Sequence, residues 1–183
     1  MAEITLSTIT NRTKAEMAIK FSMNRTTWEH HSHPLSVWSR LATGWMIFPA
    51  VWSHSSWGWT LAGIFILTFA FWMYLNPRAF PKPRHTDSWA SQVTFGERVW
   101  LKEVPFNGLE EILDLHRTAT RLLGALAGIG FICGIITAAL NLFWPTMFFA
   151  LAMIVGKMWF CDRMVWLFND ATDAHPELAD WVY

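Results

Sequence analysis

The residues best equipped to move protons are His31, Glu97, Asp162 and Asp170. Acid–base chemistry needs a group whose protonation can change beside the reacting atom, and imidazole and carboxylate are the usual choices. Arg40, Asn76, Arg78 and Arg163 suit a different task, the holding of a substrate. Arginine presents a planar fork of donors that matches carboxylate or phosphate. His30, His31 and His33 form a cluster whose ligand type suits zinc or iron, with Glu97, Asp162 or Asp170 as partners. Their spacing matches no diagnostic metal motif, and His54, His116 and His175 stand apart. The expectation is therefore no metal and no cofactor. No Gly-x-Ser-x-Gly, phosphate loop or dinucleotide fingerprint occurs. Ser36 and Ser91 are hydroxyls to which no base can be assigned.

These side chains border two stretches, residues 41–77 and 122–156, that contain no Asp, Glu, Lys or Arg. A membrane-crossing helix needs roughly 20 apolar residues. Each stretch is too long for one crossing, and each holds a turn-prone centre: Ser53-His54-Ser55-Ser56-Trp57-Gly58 in the first, Asn141 to Thr146 in the second. Pro145 fits just inside a helix start. The pattern predicts an all-α integral membrane protein with four crossings at about 37–53, 57–75, 120–140 and 145–160, paired as two helical hairpins. Around them lie an N-terminal cytoplasmic or interfacial segment (1–36), a central cytoplasmic segment (76–119) and a C-terminal tail (161–183).

Charge placement supports four crossings over two. All 14 Lys and Arg residues then fall on one side, and neither hairpin turn holds any. Cytoplasmic loops carry the excess of Lys and Arg, so both termini and the central segment are expected in the cytoplasm. Trp52, Trp57, Trp59 and Trp144 flank the turns, at depths where an indole keeps its ring apolar and its N–H wet. Trp45 is mid-crossing and calls for helix packing. No secretory signal peptide is visible, so insertion relies on the first hairpin. The glycosylation-type triplets at Asn11 and Asn24 then face the cytoplasm and read as chance matches.

Composition excludes other classes. At 53% hydrophobic and 15% charged, the 183-residue chain is neither disordered nor a soluble domain of ordinary make-up. Zero net charge speaks against nucleic acid. Two cysteines do not make a disulfide scaffold, and Cys133 reads as a small core residue. The partners expected are the lipid bilayer and either a second copy or a larger membrane complex. Residues 12–31 have an imperfect apolar face that predicts an interfacial helix, which Pro34 ends or restarts. The prolines of 76–84 forbid regular helix there. Asn107-Gly108-Leu109-Glu110 resembles a capping box, opening a helix that runs unbroken into the third crossing. Asp114, Arg117 and Arg121 are spaced to pair on one face of that helix, or to form a solvated charged face. Gly124, Gly128, Gly130 and Gly134 allow close helix approach, within the chain or between copies.

Four strings carry a resemblance: Trp28-Glu-His-His-Ser-His-Pro-Leu-Ser-Val-Trp-Ser-Arg40, Asn76-Pro-Arg-Ala-Phe-Pro-Lys-Pro83, Phe95-Gly-Glu-Arg-Val-Trp-Leu101 and Asp162-Arg-Met-Val-Trp-Leu-Phe-Asn-Asp170. Together they resemble a family of small multi-pass membrane proteins of unknown function, over residues 28–170. The resemblance implies a membrane fold and location and no activity. Its first pattern implies Asn where His33 stands, so His33 departs from it and His31 is the matching residue. The polar members of the four strings fall on one membrane face, either as a salt-bridge collar, with Arg40 or Arg78 on Asp162 or Glu97, or as a site for a headgroup or small anion. The functional expectation is a small non-catalytic membrane component. The alternative is a membrane-embedded enzyme acting on a lipid-like or small anionic substrate at the cytoplasmic face. Transport is weakly supported, because four short crossings without a buried charge supply no evident ion path unless the protein oligomerises.

Overall fold

The computed structural model describes residues 25–104 and 106–183, and every regular element among them is helical. The helices are α1 (Arg25–His31), α2 (Pro34–Gly44), α3 (Ile47–Trp52), α4 (His54–Ala79), α5 (Trp89–Trp100), α6 (Leu109–Ala139) and α7 (Phe143–Ala174), with a closing 3₁₀ turn (Pro176–Trp181). Of the expected helix over 12–31, residues 12–24 lie outside the described residues, as do the triplets at Asn11 and Asn24. Pro34 restarts the chain: it opens α2, and His33 caps it through Nδ1, which accepts the Leu35 N–H at 3.2 Å.

Among the described residues three helices, α4, α6 and α7, are long and apolar enough to cross a membrane, not four. The expected crossing over 37–53 is divided into α2 and α3 at Trp45 and Met46. The cause is Pro49, which has no N–H to give the Trp45 carbonyl and whose ring would strike it. The Trp45 carbonyl accepts from Phe48 N at 3.1 Å instead. Trp45 is not packed between helices as expected, but is 44% exposed at this break. The two pieces still run the full height of α4 in the opposite direction. Asn76 Nδ2 donates to Ser39 Oγ (2.7 Å), Trp72 Nε1 to Thr43 Oγ1 (3.0 Å), and Trp52 meets Phe143 edge-on beside the turns.

The second arm pair is continuous. Helix α6 runs unbroken as expected, about 46 Å at the α-helical rise. Its cap differs from expectation: Gly108 takes the left-handed conformation (φ 84) with no side-chain cap, while the Asn107 carbonyl accepts from His175 Nε2 at 2.6 Å. Helices α6 and α7 touch backbone to backbone. A Cβ on Gly130 would lie 2.6 Å from Met153 N, and one on Gly156 2.7 Å from Ala127 N. Gly134 receives the Phe48 ring of α3. Gly124 and Gly128 meet nothing within 4 Å, so the glycine pairs play different parts.

The proline-rich segment is helical further than expected. Helix α4 continues through Pro77 to Ala79, and regular helix is absent only from 80 to 88. Thr86 ties that strap to the C-terminus, its N–H donating to the Tyr183 carbonyl and its hydroxyl to that of Trp181. Helix α5, capped by Ser88, lies on α7 so closely that a Cβ on Gly96 would overlap the Met164 carbonyl. Outward faces of the long helices are apolar, with Ile64, Leu67 and Phe71 on α4, Ile129 and Ile132 on α6, and Phe148 and Leu151 on α7 all exposed. A surface of this kind suits acyl chains rather than water.

Candidate functional site

Because the first arm is broken and the second is tightly seamed, the two do not close on each other along their whole length. Between them lies a cavity of about 430 Å³. Val37, Arg40, Leu41 and Gly44 of α2 and Phe69 and Met73 of α4 line one side. Ala127, Gly128 and Phe131 of α6 and Met153, Ile154, Lys157, Met158 and Cys161 of α7 line the other. His31 of α1 and Val93 and Glu97 of α5 close one end. The volume lies in the range of small-molecule sites. The lining divides along its length. Every wall residue contributed by 41–77 and 122–156 is uncharged; Arg40 and Lys157 stand just beyond those stretches, and Glu97 is brought to them by α5.

The polar end is an ordered cluster. Lys157 Nζ donates to Glu97 Oε1 at 3.2 Å, and Glu97 Oε2 stands 3.6 Å from His31 Nε2. Arg40 Nη1 lies 3.0 Å from His31 Nε2 and 3.4 Å from Nδ1. An atom that close to both ring nitrogens cannot lie in the ring plane without striking the carbon between them. The guanidinium nitrogen therefore sits over the imidazole face, a cation–π arrangement.

Behind the ring, Ser36 Oγ is 3.2 Å from Nδ1 and donates to Asn76 Oδ1 at 3.0 Å, while Asn76 Nδ2 donates to Ser39 Oγ. With its own proton spent on Asn76, Ser36 accepts from Nδ1–H. The lone pair of neutral His31 is thus left on Nε2, toward Glu97 and the cavity. Ser36, His31 and Glu97 resemble a nucleophile–base–carboxylate chain. Ser36 is wholly buried and absent from the cavity wall, so its part is to orient the ring.

Burial pushes the His31 pKa down, and the charges of Arg40 and Lys157 add to this against the carboxylate of Glu97. Burial alone would raise Glu97, but in acid, where His31 is protonated, a hydrogen bond from that ring and the charges of Lys157, His31 and Arg40 outweigh it and hold the carboxyl at about 2. Two cations, one carboxylate and a neutral imidazole leave one net positive charge at the polar end of an otherwise apolar cavity.

Of the residues expected at a site, His31, Arg40 and Glu97 come together, and Asn76 supports them from behind. The others do not join. Asp162 accepts from Trp89 Nε1 at 3.2 Å. Asp170 accepts from His116 Nε2 at 2.8 Å, with His116 buried between α6 and α7. Arg78 turns back to the Tyr74 carbonyl, and Arg163 lies over the Trp166 ring. None of the expected collar pairs forms among the described residues, and Glu97 takes Lys157 instead. The three clustered histidines diverge: His31 points inward, His33 caps α2 and stacks on Phe80, and His30 is half-buried on α1. No group of three His, Cys, Asp or Glu residues that could hold a metal occurs among the described residues. Lys157 was not expected at the site. Its signal is helical spacing, because 153, 154, 157, 158 and 161 form one stripe of α7.

The family profile described as "Family of unknown function (DUF6653)" matches residues 12–182, in keeping with the resemblance drawn from the four strings. Neither the curated proteins nor the solved structures hold a significant match.

Proposed function

We propose, for a chain that belongs to the DUF6653 family of unknown function, a membrane protein that binds an amphipathic anion between its two arm pairs. The observation that carries this reading is the division of the cavity. Its walls are apolar where α4, α6 and α7 are charge-free, and Arg40, Glu97 and Lys157 gather with one net positive charge at the end where charges begin. An apolar body would occupy the former and a negatively charged head the latter. Helices α2 and α3 serve as a discontinuous fourth crossing, with irregular backbone tolerated where it borders protein and a cavity. The charge-bearing end faces the cytoplasm, because the 14 cations avoid both turns. Binding does not require catalysis, and this reading keeps the protein a small membrane component.

The test uses protein in a nonionic detergent with two probes of equal chain length, hexadecanesulfonate and hexadecyltrimethylammonium. One sulfonate should bind per chain, and the ammonium should not compete for it. Equal uptake of both, or of neither, would overturn the reading.

A further inference from the structure

We infer that the cavity takes its anionic head together with one proton, and that His31 Nε2 is the atom that accepts it. The inference rests on the amphipathic-anion reading and deepens it by assigning the proton acceptor. The geometry begins with a gap. The Ser36 and Asn76 hydrogen bonds place the ring proton on Nδ1, so the Nε2 lone pair and Glu97 Oε2 face each other across 3.6 Å with no proton between them. That separation is beyond hydrogen-bond length, as two acceptors require. What keeps the proton away is the burial of the ring, reinforced by the cation over its face, Arg40 Nη1 at 3.0 Å from Nε2.

An anionic head entering the cavity engages Arg40 and Lys157, the two cations of its polar end. The charge of Arg40 is then met by the head rather than felt by the imidazole, and a new negative charge stands beside the ring. Both changes favour protonated His31. In the balanced step, a proton from water or buffer forms the Nε2–H bond, the lone pair becomes a donor to Glu97 or the head, and no other bond is made or broken. Among the described residues, the groups around the ring allow no ready substitute. Among them, α2 presents Arg40, α5 presents Glu97, α7 presents Lys157, and Asn76 of α4 is linked to the ring through Ser36. On α1 itself, Glu29 pairs with Lys82, away from the cavity, and His30 does not line it.

A sulfonate stays ionised throughout the accessible pH range, so any proton taken up on its binding belongs to the protein. Hexadecanesulfonate affinity should weaken about tenfold per pH unit from pH 7 to 8.5, the slope for one linked proton. In His31→Gln, which keeps a polar side chain at the site, the sulfonate should still bind and the slope should vanish. Isothermal titration in two buffers of different ionisation enthalpy counts the proton directly in the wild-type protein, independently of any variant. Wild-type binding with no slope would overturn the proton assignment and leave the anion reading standing. A slope that persists in His31→Gln would also overturn it. Absence of sulfonate binding at every pH would remove both.

Discussion

The two arm pairs solve the same problem by opposite means. Helices α6 and α7 approach until backbone touches backbone, through Gly130 and Gly156, with no charged residue between 122 and 156. Their seam is van der Waals contact, the main source of helix association where lipid removes the hydrophobic drive. The other pair is held by side-chain hydrogen bonds, Ser39 to Asn76 and Thr43 to Trp72, and its first arm is broken before Pro49. Where backbone touches backbone, at Gly130 and Gly156, there is no room for a ligand. A broken arm bridged by polar contacts leaves room, and the cavity lies on that side of α6 and α7. The molecule thus uses one rigid pair as the wall against which the other forms a site.

The sharpest way to break this comparison is to put the same side chain at two glycines. In Gly156→Leu the Cβ alone would press on Ala127 N, so the seam must open. The expected cost is about 3 kcal/mol or more, the upper end for overpacking, and a denaturant or thermal scan should show loss of the folded protein. In Gly128→Leu the Cβ meets nothing within 4 Å and points to the space that α6 lends the cavity. Stability should be unchanged or slightly raised, by up to about 1 kcal/mol, since glycine is a poor helix former. Hexadecanesulfonate binding should fall at least about tenfold, roughly 1.4 kcal/mol. If both variants unfold, or both bind normally, the division into seam and cavity is wrong.

Acid should separate the pairs next. In the ligand-free protein the folded-state pKa of His31 is lowered from 6.5, so the stability it lends is complete above that value and is lost as pH falls below it. Glu97 acts in the same sense at lower pH: its contribution is present above 4.5 and is lost as pH falls through that value toward about 2. Both groups join α1 and α5 to the α2 side of the cavity, whereas the glycine seam holds no charged group. Hydrogen exchange of residues 36–44 should quicken from pH 7 to pH 5, after correction for intrinsic rates, while that of 127–134 and 150–156 should not. Equal quickening in both would merge the two regions into one.

The same contrast explains what the sequence shows and hides. Charge-free stretches mark α4, α6 and α7, because lipid-facing helices cannot carry charge cheaply. The break in the first arm hides in the same signal: Pro49 is as uncharged as its neighbours, and only its missing N–H reveals it. At the site, His31, Arg40 and Glu97 are legible as polar members of the four strings. Asp162 is not distinguishable from them by type. It does not line the cavity, and its carboxylate accepts from Trp89 Nε1 of α5, a pairing across 73 positions that its type does not announce. Asp170 is likewise taken by His116, a pairing across 54 positions that no local pattern announces. Lys157 reads as a mere topological charge until the stripe from Met153 to Cys161 is drawn.

The smallest effect sharpens the comparison most finely, because it asks what holds the broken arm. Trp72→Phe keeps the aromatic ring and removes the Nε1 donor to Thr43 Oγ1. An interhelical hydrogen bond in a membrane protein averages about 0.6 kcal/mol, so the variant should lose about that much. Thr43 keeps its own hydroxyl bond to the Ser39 carbonyl at 2.7 Å, and no buried acceptor is stranded. A double-mutant cycle with Thr43→Val isolates the pairwise share, since each single change also alters packing. A coupling near zero would mean that contacts of α3 with α4 and α6 alone align the arm. A coupling of about 0.6 kcal/mol would mean that polar contacts set its register above the break, beside the residues that line the cavity.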